Sequence, residues 1–149
     1  MTETELDFAE VRRAFDHAAA SYDAHAVLQR EVCDRLLERL DFMKLQPGRV
    51  LDVGTGTGYG LAHLHSRHAA SELCALDIAP AMLAASRARL PQPTWAQRAL
   101  QHLAPYVLGT ARAKDGIPCG HPSRLTHLVC ADMERLPLAP NSMNLVWSS

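Results

Sequence analysis

The chain has 149 residues, 48% hydrophobic and 21% charged, with 15 basic side chains set against 16 acidic ones. That length buries one substantial core and suits a single globular domain, and no apolar run approaches the roughly 20 residues that cross a bilayer. A net charge of -1 provides no long-range field to gather nucleic acid or an anionic membrane surface, so neither is an expected partner.

In chain order, Leu28, Val32, Leu36 and Leu40, with Val27 and Leu37 beside them, predict a helix over 24–40 with one buried face. Pro47 and Gly48 end that approach, and Arg49-Val50-Leu51-Asp52-Val53 is a short β-rich run stopping at glycines. Tyr59 to His68 carries Leu61 and Leu64 at helical spacing, and Glu72-Leu73-Cys74-Ala75-Leu76-Asp77 is a second apolar strand, completing a βαβ unit. Pro80 suits the first turn of another helix, continued by Met82, Leu83, Ala84, Ala85 and Ala88.

Prolines at 91, 93, 105, 118 and 122 then break the rhythm, although Thr94-Trp95-Ala96-Gln97 has capping-box spacing for one short helix. Thr126 to Cys130 and Met143 to Ser148 are the third and fourth expected strands. The alternation predicts an α/β fold with a parallel sheet covered by helices. The fourth strand, with Leu145-Val146-Trp147, is expected to be an apolar edge over 143–148 through which another chain could associate.

Gly54, Gly56 and Gly58 follow the first strand at alternate positions, where a backbone must turn tightly and admit a ligand closely. The dinucleotide pattern GxGxxG would need glycine at position 59 or 61, which hold Tyr59 and Leu61. No lysine lies between Lys44 and Lys114, so a Walker A loop is excluded. Acids end three strands: Asp52, Asp77, which follows Gly58 by 19 residues, and Asp132 just beyond the third. Asp77 is placed to meet a ribose diol or to cap the helix that follows it.

Metal ligation is not expected. His63 and His65 do not share a helix face, and with His68 they are expected at the surface; Cys119 and His121 lack partners for a zinc set. Cys33, Cys74, Cys119 and Cys130 show no CxxC spacing, and MTETELDFAE has no signal-peptide pattern, which together predict a reducing, cytoplasmic setting.

Asp52-x-Gly54-x-Gly56-x-Gly58 resembles the first motif of class I S-adenosylmethionine (SAM) methyltransferases, and Cys130-Ala131-Asp132-Met133 resembles their segment after strand three. The resemblance implies a Rossmann-like fold, seen here to about its fourth strand and so truncated, that holds SAM, a sulfonium without phosphate. It implies Asp77 at the ribose, Ile78 and more weakly Met82 at the adenine, and Asp132 and Met133 at the adenine amino group and ring. Met82 is equally placed to be core.

The run from Phe15-Asp16-His17-Ala18-Ala19-Ala20-Ser21-Tyr22-Asp23 through Arg39-Leu40 is more narrowly similar to the lead-in of the malonyl-acyl-carrier-protein O-methyltransferases of biotin synthesis. That likeness implies a helical lead-in and cofactor lid at 1–45 with Tyr22 touching the cofactor, although a tyrosine there also suits packing of the first helix. It implies a partial SAM-binding domain at 46–149 with a proline-rich insertion at 91–125, and malonyl-acyl-carrier protein as substrate. A malonyl carboxylate is already ionised at neutral pH, so no catalytic acid or base is expected. A non-catalytic SAM-binding polypeptide and a nicotinamide-dependent Rossmann oxidoreductase are the competing readings.

Overall fold

A computed structural model describes residues 7–91 and 126–149. The expected short helix at Thr94 and nearly all of the proline-rich stretch lie outside the described residues. The lead-in is three helices, α1 (Phe8–Ala18), α2 (Tyr22–His25) and α3 (Val27–Asp41). Asp7 caps α1, its carboxylate accepting from the Ala9 amide at 2.9 Å.

Four parallel strands follow, β1 (Arg49–Val53), β2 (Glu72–Asp77), β3 (Thr126–Cys130) and β4 (Leu145–Trp147), in the order β3-β2-β1-β4. The helix α4 (Tyr59–Arg67) links β1 to β2, and α5 (Pro80–Arg89), with Pro80 in its first turn, follows β2. The chain runs outward from β1 to β3 and then returns to the other side of β1. Parallel sheets bind ligands beyond the carboxyl ends of the strands at such a reversal.

Val50, Leu51, Leu73, Cys74, Ala75 and Leu76 are all buried, which is why β1 and β2 are near-continuous apolar runs instead of alternating ones. Their side chains divide between two cores. Val50, Leu73 and Ala75 pack with Cys33, Leu40, Leu61, Leu64 and Trp147 on one face, and Leu51, Cys74 and Leu76 pack with Val53, Val129, Leu138 and Met143 on the other.

Three expectations need correction. The apolar face of α3 is not the row Leu28-Val32-Leu36-Leu40: Val27 and Leu28 are 67% and 70% exposed, and Cys33 and Leu40 are the buried residues. A row of four-residue steps drifts about 40° per step around a helix of 3.6 residues per turn, so its first half turns to solvent while Cys33 comes under α4. Two of the three histidines are also not at the surface. His65 follows Leu64 on the buried side of α4, and His68, at the end of that helix, has a buried Nε2 without a hydrogen-bond partner and a pKa lowered by burial and by Arg67. The fourth strand is shorter than 143–148, and although it is an edge among the described residues, Trp147 is covered while Val146 is 63% exposed.

Candidate functional site

The turn after β1 is built by backbone geometry. Gly54, Gly56 and Gly58 have φ of 69°, 54° and 82°, a region L side chains rarely adopt. The three glycines differ in what surrounds them. A Cβ on Gly54 would meet nothing within 4 Å, one on Gly56 would touch Tyr22 Cε1 at 4.0 Å, and one on Gly58 would lie 2.7 Å from Ser86 Oγ and 2.9 Å from Ser86 Cα. Gly54 and Gly56 therefore leave room for a ligand, whereas Gly58 lets α5 close on the start of α4.

Four N–H groups of this turn face inward. Those of Gly54 and Thr55 donate to the Leu76 carbonyl at 2.8 and 3.0 Å, that of Gly56 to Asp77 Oδ2 at 2.8 Å, and that of Gly58 to the Thr55 carbonyl at 2.9 Å. A phosphate-binding turn aims its N–H groups at the ligand. This one spends those of Gly54, Thr55, Gly56 and Gly58 on the protein.

Two hollows flank the turn. An apolar cleft of about 250 Å³ lies between Gly54, Gly56, Leu76, Asp77, Ile78 and Met82 on one side and Ala131 to Glu134 on the other, closed above by Phe8, Val11, Phe15 and Tyr22. Asp77, Asp132 and Glu134 line it, and no cation among the described residues does. A pyrophosphate has no counter-charge there; a flat, uncharged or cationic ligand does not need one. A smaller recess of about 40 Å³ shares Tyr22, Gly54 and Gly56 with the cleft and adds Asp23, Arg30, Thr57 and Ser149.

Asp77 is both a wall of the cleft and a clamp. Its Oδ2 takes the Gly56 amide and its Oδ1 takes the Ala79 amide at 2.9 Å, so the capping alternative describes one of its bonds. Each oxygen keeps capacity for a further donor. Asp52 lies beneath the turn instead of in either hollow, 3% exposed, with Thr55 Oγ1 donating to it at 2.7 Å. Burial pushes its pKa up to about 6, the Thr55 bond opposes the shift, and nearby Asp77 adds to it.

Asp132 accepts from the Glu134 amide at 2.9 Å and caps a 3-10 turn over Met133–Arg135, an arrangement that leaves Met133 61% exposed beside the cleft. Met82 is both things the sequence allowed, 1% exposed within the core and a part of the cleft wall. Of the ten expected site residues, Tyr22, Gly54, Gly56, Asp77, Ile78, Met82, Asp132 and Met133 converge on the cleft, and Asp52 and Gly58 support it from behind.

The likeness implied a lid at 1–45 and named Tyr22 in it; the other residues of the upper wall were not foreseen. Phe8, Val11 and Phe15 recur at i, i+3 and i+7 after the Asp7 cap, a spacing that places them on one helix face, and they roof the cleft. Asp23 was also missed. Thr57 Oγ1 donates to its Oδ1 at 2.6 Å, Arg89 pairs with its Oδ2, and Arg30 donates to its carbonyl at 2.5 Å. With Asp16, whose Oδ1 accepts from the Ala81 amide at 2.9 Å, it ties the lead-in to the domain.

A parallel sheet reversing at a glycine turn, beside an acid-lined cleft without a cation, defines a SAM-dependent methyltransferase domain. Residues 51–149 match the methyltransferase domain family, and the chain belongs to it. It is 46% identical over 144 residues to the malonyl-[acyl-carrier protein] O-methyltransferase of Laribacter hongkongensis and 44% identical over 149 residues to that of Gallionella capsiferriformans. These alignments cover 96% and 100% of this chain but 41% and 43% of the two relatives. In fold it is similar to the magnesium protoporphyrin IX methyltransferase of Synechocystis PCC 6803 solved with bound SAM, at a TM-score of 0.54 and 18% identity, over 91% of this chain and 59% of that one.

Among the described residues no helix is long and apolar enough to cross a membrane, and no group of His, Cys, Asp and Glu could hold a metal ion.

Proposed function

We propose that this chain is the SAM-binding part of a malonyl-acyl-carrier-protein O-methyltransferase acting at the start of biotin synthesis. The observation that carries the cofactor reading is the cleft itself: apolar, lined by acids, roofed by aromatics, and next to a turn in which the amides of Gly54, Thr55, Gly56 and Gly58 are already taken. The substrate reading rests on the likeness to relatives of that name, of which the chain spans about two fifths.

In this reading Ile78, Met82 and Met133 enclose the adenine and Asp132 accepts from its amino group. Asp77 uses its remaining lone pairs for the ribose hydroxyls, and Gly54 and Gly56 admit the sugar and thioether without a Cβ in the way. Tyr22 closes over the turn. Bound SAM supplies an electrophilic methyl group on a sulfonium; the protein aligns the acceptor carboxylate and keeps water out, which serves a displacement needing no general base. The free thiols Cys33, Cys74 and Cys130 suit a cytoplasmic setting.

The test is incubation with methyl-labelled SAM and malonyl-loaded or acetyl-loaded carrier protein. Label recovered as an alkali-labile ester on the malonyl carrier alone is the expected result. Label on the acetyl carrier, or equally on both carriers, overturns the substrate reading; no label on either favours the non-catalytic reading.

A further inference from the structure

The methionines among the described residues differ in how far solvent reaches them. Met82 is 1% exposed, and Met143 is half-buried against Leu51, Cys74 and Leu76. Met43 and Met133 are 51% and 61% exposed, and of these two only Met133 lines the cleft. It is held there by the 3-10 turn that the Asp132 carboxylate caps through the Glu134 amide. An apolar, polarizable side chain thus stands open to water on the wall of a ligand cleft.

We propose that Met133 is an oxidation site at which a peroxide weakens cofactor binding. This rests on the proposed SAM site, with Met133 against the adenine. A lone pair on the thioether sulfur attacks one peroxide oxygen, and an S–O bond forms as the O–O bond breaks. The departing hydroxide takes the proton from the sulfur-bound oxygen and leaves as water, so sulfur is oxidised by two electrons and the peroxide is reduced. The product is no longer a soft apolar surface but a strong hydrogen-bond acceptor. Asp77, Asp132 and Glu134 surround it, no cation among the described residues lines the cleft, and the Gly54 and Gly56 amides are bonded elsewhere. A ligand covering the sulfoxide strips its water with no charged donor to replace it, and a sulfoxide turned out to solvent leaves the adenine without that wall. Either arrangement lowers affinity. A ligand already in place covers the sulfur, so oxidation falls on the empty chain.

The experiment treats the full chain, Met133→Leu, Met43→Leu and Cys130→Ser with hydrogen peroxide and then removes the peroxide with catalase. Oxidised residues are mapped by peptide mass spectrometry, and each sample is titrated calorimetrically with S-adenosylhomocysteine against its untreated counterpart. Cys130 is included because its free, exposed thiol is a competing target three residues away. Met133 is expected to oxidise well before Met82, and affinity to fall about tenfold in wild type, Met43→Leu and Cys130→Ser. Met133→Leu, whatever its starting affinity, is expected to show no further loss. Sinefungin, a cofactor analogue without sulfur, is expected to slow oxidation of Met133 and not of Met43. Oxidation of Met133 no faster than of Met82, equal protection of Met133 and Met43, or a loss as large in Met133→Leu overturns the proposal. A loss that disappears in Cys130→Ser assigns the effect to the thiol and overturns it too. Untreated wild type that binds no S-adenosylhomocysteine ends the SAM reading and this inference with it; full affinity after oxidation of Met133 ends this inference alone.

Discussion

The floor and the roof of the cleft are made in different ways. The floor is the carboxyl ends of β1 and β2 with the glycine turn between them, where Leu51, Asp52, Leu76 and Asp77 are all buried and the turn is bonded back to Leu76 and Asp77. The roof is α1 and α2, which contain no buried residue, leave Phe8 and Phe15 about 40% exposed, and are held by side-chain bonds from Asp16 and Asp23. A floor fixed by backbone geometry determines which ligand shape is admitted. A roof held by a few polar bonds is the part expected to loosen first.

The sharpest way to break this distinction is at the glycines. Gly58→Ala is expected to cost on the order of 2–5 kcal/mol, from the left-handed backbone and the collision with Ser86, as measured by urea unfolding. Gly54→Ala, with open space around its Cβ, is expected to lose only about 1–2 kcal/mol and to show its main effect on ligand affinity. Equal destabilisation by the two would mean that packing does not distinguish them.

Next in size is the buried acid under the floor. The Asp52 pKa rises from 3.8 unfolded to about 6 folded, so the folded chain holds the proton more tightly. The associated stability is fully present below pH 3.8 and is lost as pH rises through about 6, a loss of about 3 kcal/mol. Asp52→Asn, whose amide oxygen still accepts from Thr55, is expected to flatten this part of the profile and raise the melting temperature at pH 8. An unchanged slope would remove Asp52 as its source.

Asp77→Asn is expected to cost about 1–3 kcal/mol, because an amide presents one oxygen and one NH2 where the carboxylate now accepts from both Gly56 and Ala79. The smallest effect on stability belongs to the roof. Asp23→Ala removes a partly exposed ion pair and the Thr57 bond and is expected to cost about 1 kcal/mol or less, yet to speed dissociation of S-adenosylhomocysteine in stopped-flow fluorescence. A large loss of stability with unaltered dissociation would move Asp23 from the roof to the core.

The floor was legible in the sequence because local rules determine it. β1, β2 and β3 occupy the predicted residues, and the glycines and acids at their ends carry their own signals of turn and ligand. The roof was legible only as a likeness. Its spacing of Phe8, Val11 and Phe15 was readable on one helix, but that this face covers a cleft depends on how α1 docks on α5 through Asp16 and the Ala81 amide, a contact 65 residues apart in sequence. Asp23 gave no signal either, since its partners Thr57 and Arg89 lie 34 and 66 residues away. The exposed Leu28 and Val32 misled for a related reason: periodicity reports a stripe, and only the neighbouring helix selects which part of the stripe is buried.

The claim that unites floor and roof is that the cleft admits a nucleoside without a pyrophosphate. Paired calorimetric titrations of the wild-type chain with S-adenosylhomocysteine and with NAD+ test it most directly. Saturable heat with the first and none with the second is the predicted result; saturable NAD+ binding with none for S-adenosylhomocysteine would contradict it.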